Sequence, residues 1–316
     1  MIEETIKIRN IELKNRIVMP PMATAKAKDG VVGEDLVEYY EQRSKHLGMI
    51  VTEHAYVCED GLAHKGQMGM IQENKEMFTL LTQRIHNNNC RVIAQISHAG
   101  IRAAIDYPIG PSDFDYFKKH ESIHAMTLED MERVKQAFVD AALLAKECNF
   151  DGVEIHIAHS YLLNQFYSPL TNHREDQYGG SVENRIRYAC EIVQAVRESC
   201  GNDFVIGARL GSIDDKIEGG NTKEDAIQAC IYLEKAGADL LSISGGLSGY
   251  LRKEYEGLAY YELEARAIKE KVSIPVLLVG GITSKDIAEK ILHNQSCDLI
   301  GVGRPLLKDP DYITHF

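Results

Sequence analysis

The chain has 316 residues, 44% of them apolar and 26% charged, which is enough for a substantial core beneath a solvated surface. Its net charge of −12 argues against broad nucleic-acid binding, which needs a Lys/Arg surface to neutralise phosphates. The N-terminus MIEETIKIRN lacks the apolar region of a secretory signal and no apolar run is long enough to span a bilayer, so the expected location is the cytoplasm, with no membrane partner.

Elements follow one another in a regular alternation. Thr5–Ile8 and Glu12–Leu13, turning at Asn10, form a candidate hairpin. Apolar, β-branched runs then mark strands at Arg16–Met19, Met49–Tyr56, Val92–Ile96, Gly152–His156, Phe204–Leu210, Leu240–Ser244, Val276–Val279 and Leu299–Val302. Helical patterns fall between them at Glu34–Leu47, Thr127–Cys148, Ser181–Ser199, Thr222–Ala236, Glu262–Lys271 and Ser284–His293. Thr127 with Asp130 fits a capping box. Short continuous apolar runs suit strands buried on both faces, as a parallel sheet requires. Eight such units predict an α/β fold of the (β/α)8 TIM-barrel type, with the hairpin closing the barrel bottom. No linker or low-complexity segment divides the chain, so residues 1–316 are read as one domain. Two long connections, Gly100–Met126 and Leu163–Gly180, follow the third and fourth strands and are expected to act as lids or cofactor walls.

The seven cysteines are scattered and contain no CxxC pair, which disfavours a zinc or iron–sulfur framework; no metal is expected and buried free thiols are the better reading. The densest chemistry lies in Asp151–Arg185. His156, His159 and Tyr161 emerge where the fourth strand ends, and parallel barrels carry their catalytic groups at that rim. One such group would be an ordinary loop residue. Three within six residues point to a site.

HIAHSYLLNQF followed by SPLTNHREDQYGGSVENR resembles the active-site strand and loop of the old yellow enzyme family of FMN-dependent ene-reductases. NRIVMPPMAT (Asn15–Thr24), AQISHAG (Ala94–Gly100) and LIGVGRPLLKDP (Leu299–Pro310) follow in the family's order, so the resemblance covers nearly the whole chain. It implies an NAD(P)H-dependent oxidoreductase that uses FMN, takes NADH or NADPH as electron donor, and reduces a small electrophilic alkene in a ping-pong cycle. A homodimer or homotetramer is the assembly it implies. A non-catalytic flavin-binding or electron-transfer barrel is the alternative.

Several residues acquire expected roles. GGITSKD and GVGRP follow the last two strands, where such barrels commonly hold phosphate, and Gly281, Gly303 and Arg304 are the candidates. Gln95 can match the donors and acceptors of a flavin pyrimidine edge, and Arg209 can stabilise the negative charge gained on reduction. The resemblance sets the backbone of Pro20, Pro21, Met22 and Ala23, and also His54, along the flavin. It makes His156 and His159 hydrogen-bond donors to a substrate carbonyl and Tyr161 the proton donor, a phenol with pKa near ~10 being an available acid at neutral pH. Ala25 takes the place of a substrate-binding tyrosine found in some relatives. Ala23 replaces a cysteine or threonine that tunes the flavin in others, and HAGIR replaces HAGRK. PMAT, EHAYV and QISHAG are closer to the 2-enoate and 2,4-dienoyl-CoA reductase branch, whose usual iron–sulfur and FAD domains are not expected in this chain. Asn172, Arg174, Asp176, Glu183 and Arg185 are expected to be scaffold.

Overall fold

A computed structural model describes residues 1–316. Eight parallel strands form a closed barrel: β1 (Ile17–Met19), β2 (Met49–Val51), β3 (Arg91–Ser97), β4 (Gly152–Ile157), β5 (Val205–Gly211), β6 (Leu240–Ser244), β7 (Val276–Val279) and β8 (Leu299–Gly301). Each pairs with the next, and β8 pairs with β1 to complete the ring. Helices α1 (Glu34–Ser44), α2 (Lys75–Asn87), α3 (Leu128–Glu147), α4 (Val182–Cys200), α5 (Lys223–Ala236), α6 (Glu262–Lys269), α7 (Lys285–His293) and α8 (Arg304–Lys308) follow the strands in turn. This is the expected (β/α)8 barrel. No helix is long and apolar enough to cross a membrane.

Strand alternation divides the side chains between two environments. Val153 and Ile155 of β4 face outward into the large core shared with the helices. Val18, Met49, Val51, Ile93, Val205, Leu240, Leu277 and Leu299 fill the barrel's lower interior, packed against Ile8, Ile11 and Leu13 of the N-terminal hairpin. The hairpin therefore closes the bottom, as expected. Higher in the barrel the inward positions turn polar, and there the register sets Gln95 of β3, Glu154 of β4 and Gly207 of β5 side by side.

Helix boundaries follow their caps. Thr127 accepts from Asp130 N while the Asp130 side chain accepts from Thr127 N, so two of the first-turn donors of α3 are satisfied; α5 repeats the box with Thr222 and Asp225. Ser181 and Ser284 cap α4 and α7. The apolar pattern failed to mark helix α2 as well as two short helices, α8 and Leu162–Tyr167. The buried face of α2, Phe78, Leu81, Thr82 and Ile85, has helical spacing, but a threonine interrupts it, and Asn74 at its start has Met77 in place of the Glu or Gln that would complete a capping box. Asn74 precedes the helix without capping it. Its amide instead donates to Gly30 O and Gly69 O at 2.8 Å and accepts from Val32 N at 2.9 Å, tying two loops together.

Two expected segments differ in form. The Met49–Tyr56 run breaks after Val51 and resumes as a separate two-residue strand at Ala55–Tyr56, and the break delivers Glu53 and His54 to the barrel mouth. Leu163–Gly180 is no lid. It begins in a fully buried short helix, Leu162–Tyr167, and Asn172 then donates to Phe166 O and Tyr178 O. Arg174 pairs with Asp176 and reaches Pro111 O and Met126 O, and Arg185 donates to Tyr167 O and Gly180 O. These residues are the scaffold that was expected, although Glu183 is exposed and adds only a long contact to Arg187 and a hydrogen bond accepted from the Tyr232 hydroxyl at 3.3 Å. All seven cysteines are free, five of them buried.

Candidate active site

The mouth over the C-terminal strand ends gathers five aromatic side chains. His156 points inward from β4 and is 3% exposed. The chain then turns through two consecutive left-handed residues, His159 (φ 57°) and Ser160 (φ 67°), a costly conformation for side chains with a Cβ. That turn swings His159 back beside His156, their rings 5.0 Å apart. Tyr161 lies 5.1 Å from His156 and 5.3 Å from His54, so strands β2 and β4 contribute to one cluster. Tyr250, from the connection after β6, stands 6.0 Å from His159 and is largely exposed at the entrance.

Electrostatics keep this cluster neutral. Burial pushes the His54 imidazole down to about 3, with His64 adding to the effect. Burial likewise drives His156 and His159 well below the usual histidine range, and Arg209 opposes their protonation further. Neutral imidazoles carry one N–H each and act as hydrogen-bond donors without charge. Gln67 Nε2 lies 2.6 Å from His54 Nδ1, a contact that leaves the His54 proton on Nε2. The Ser244 hydroxyl lies 2.7 Å from His159 Nε2 and 3.4 Å from Arg209 Nη2. Serine can accept from the guanidinium and donate to the ring, which places the His159 proton on Nδ1. Burial raises the Tyr161 phenol above its ordinary value, with Arg102 pulling the other way.

Polar groups fill the inward positions beside and beneath the rings, Arg209 level with His156 and Gln95 level with Glu154 one step below. Arg209 is 4% exposed, and its Nε and Nη1 have no partner in the protein. Gln95 is 2% exposed and donates through Nε2 to Glu154 Oε1 at 2.7 Å. His156 Nδ1 and Glu154 Oε2 are also buried without a partner. Orphaned buried polar groups cost on the order of 1–3 kcal/mol each, more when charged, so this many close together mark a place built to receive polar atoms.

The edges of the mouth come from β1, β7 and β8. Pro20 is buried, Pro21 and Met22 are half-buried, and Ala23 and Ala25 are exposed. The buried Glu53 carboxylate accepts from Thr24 N at 2.8 Å and Thr24 Oγ1 at 2.6 Å, fixing this loop, while Ala25 adopts a left-handed φ of 55°. Gly303 packs directly on it; a side chain there would meet the Met22 sulfur at 2.8 Å. Gly281 has a φ of 79°, and a Cβ on it would run into the Tyr260 ring at 2.6 Å. The Tyr260 hydroxyl accepts from Arg304 Nη2 at 3.0 Å, so Gly281 and Arg304 meet at one tyrosine.

The site residues expected from the sequence thus fall in three groups: the histidine–tyrosine–arginine cluster with Gln95, the Pro20–Ala25 loop, and the Gly281–Arg304 edge. Residues that sequence reasoning missed are Glu53, Gln67, Glu154, Ser244, Tyr250 and Tyr260. Glu154 carried a readable signal, because a charged residue two positions before His156 in an apolar strand shares its inward face. Away from the mouth, Cys58, Asp60 and His98 lie close together, but Arg133 donates to Asp60 at 2.7 Å and already supplies its cation.

Residues 3–316 match the model of the NADH:flavin oxidoreductase / NADH oxidase family. The chain belongs to this family. Its members are flavin-dependent oxidoreductases that use FMN and NAD(P)H. The chain is 37% identical to an NADPH dehydrogenase from Halalkalibacterium halodurans over 96% of its own length and 90% of the relative's. It is 36% identical to an NADH oxidase from Thermoanaerobacter brockii over 97% of its length, but spans about half, 49%, of that longer protein. The old yellow enzyme homologue from Zymomonas mobilis superposes with a TM-score of 0.86 at 27% identity, covering 100% of this chain and 92% of the other.

The buried polar groups fit the family's cofactor. The unpartnered Arg209 nitrogens suit the end of a flavin that gains negative charge on reduction, and the free Gln95 amide oxygen suits a ring N–H.

Proposed function

We propose that the protein is an FMN-dependent NAD(P)H oxidoreductase that reduces activated carbon–carbon double bonds, those of enones, enoates or related electrophiles. The observation that carries this reading is the convergence of His156, His159 and Tyr161 from one strand end beside the buried Arg209, whose Nε and Nη1 have no partner. FMN, held by the residues below, would supply the two-electron hydride chemistry that links a nicotinamide to an electron-poor alkene.

The protein's side chains supply the rest. Gln95 would hold the pyrimidine edge and Arg209 would offset the charge that reduction brings. Gly281, Gly303 and Arg304 would receive the phosphate, and the Pro20–Ala23 backbone with His54 would line the ring. His156 and His159, neutral in this setting, would donate to the substrate's carbonyl oxygen, binding it and drawing electron density from the double bond. His159 enters with its Nε2 already engaged by Ser244, so Nδ1–H is its donor. The Tyr161 phenol, kept protonated by burial, would deliver the proton to the α-carbon. Ala25, exposed at the rim, would leave room for substrate where some relatives carry a tyrosine.

Tyr161→Phe tests the assignment. Loss of a positioned acid costs roughly 10²–10⁴-fold, so alkene reduction should fall by that order while flavin reduction by NAD(P)H stays near wild type. Equal losses in both half-reactions, measured by stopped-flow absorbance, would remove Tyr161 from this role.

A further inference from the structure

Glu154 is a fully buried carboxylate that the reaction as described does not use. It lies one step below His156 on β4, level with Gln95 on β3 and Gly207 on β5. A Cβ on Gly207 would stand 3.5 Å from the Glu154 Cβ and Cγ, so the Glu154 side chain packs directly over this glycine. Glu154 Oε1 accepts from Gln95 Nε2 at 2.7 Å, and its Oε2 has no partner. Burial raises the Glu154 carboxyl above its usual range and lowers the Arg209 guanidinium, and the opposite charge of Arg209, one inward position higher on β5, pulls the carboxyl back toward its ionised form. An ionised carboxylate can only accept hydrogen bonds. The Gln95 amide is therefore forced to turn its NH₂ toward Glu154 and its oxygen toward the mouth.

We propose that Glu154 is a positioning residue for the flavin. It fixes the orientation of the Gln95 amide, and its negative charge beneath Arg209 holds the flavin reduction potential down. The inference rests on the FMN reading above. The sign follows from charge. Reduction adds negative charge to the ring, Arg209 favours that addition, and a carboxylate behind Arg209 opposes it. Without Glu154, Arg209 would act unopposed and the flavin would become easier to reduce.

The test is spectroelectrochemical titration of the FMN-loaded wild type, Glu154→Gln and Glu154→Asp, with sulfite binding and FMN affinity measured alongside. Sulfite adds to the flavin as an anion and reports the same field independently of turnover. Glu154→Gln keeps the shape and removes the charge, so its potential should rise, sulfite should bind several-fold tighter, and FMN should bind several-fold more weakly as the Gln95 amide loses its fixed orientation. Glu154→Asp keeps the charge and shortens the reach. Its potential should stay at the wild-type value while FMN affinity falls. An unchanged or lower potential in a folded Glu154→Gln protein overturns the proposal. Should that variant fail to fold, unchanged FMN affinity in Glu154→Asp, or a raised potential in it, does the same. A wild-type protein that takes up no FMN would instead overturn the cofactor reading beneath it.

Discussion

Lowering the pH from 7.5 to 5 should destabilise this protein partly through His54. The folded environment moves its imidazole from 6.5 to about 3. Below pH 6.5 the unfolded chain takes up a proton that the folded chain refuses, so stability is fully present above 6.5 and is lost as the pH falls toward the folded value. At pH 5 the protein stands 1.5 units below the unfolded pKa, and at about 1.4 kcal/mol per unit the loss is ~2 kcal/mol. This is an upper figure, since the His54 ring is partly open to the mouth. The assay is urea unfolding at both pH values for wild type and His54→Asn, with FMN saturating throughout. The drop in stability on acidification should be smaller in the variant by up to that amount. Identical drops would show that His54 does not resist protonation, and the neutral-donor account of the cluster would lose its basis.

Two further outcomes follow from the same structure. Because burial raises the Tyr161 pKa, alkene reduction should hold its rate as the pH rises through 10 and fall only beyond it; an inflection clearly below 10 in the oxidative half-reaction would contradict the proton-donor role. Arg304→Gln should weaken FMN binding far more than riboflavin binding, because riboflavin lacks the phosphate that the Gly281–Arg304 edge would receive; equal weakening, read by flavin fluorescence, would place the phosphate elsewhere.

Much of this architecture was legible because parallel strands bury both faces. Runs such as Leu240–Ser244 and Val276–Val279 announce themselves through apolar content alone. Capped helices were legible for a local reason, a Thr or Ser with its partner three residues on. Helix α2 escaped because Asn74 spends its amide on other loops and Thr82 interrupts the apolar face. In the candidate site, the residues carried by one strand and its exit were readable together: His156, His159 and Tyr161. The Gln95–Glu154 pair and the Ser244 bridge were harder, because they depend on the register between strands 35 to 85 residues apart, which no local pattern records. The second long connection misled because length alone does not separate a lid from a packed buttress. The burial of Leu162–Tyr167 decides that case.

The most direct test of the account is an anaerobic absorption experiment on the purified protein, adding NADH or NADPH and then an enone such as cyclohexenone. The account predicts a flavin spectrum that bleaches with the nicotinamide and returns with the enone. A flavin that bleaches but stays reduced after the enone would contradict alkene reduction, and a colourless protein that cannot be loaded with FMN would contradict the roles of Gln95, Arg209 and Arg304 together.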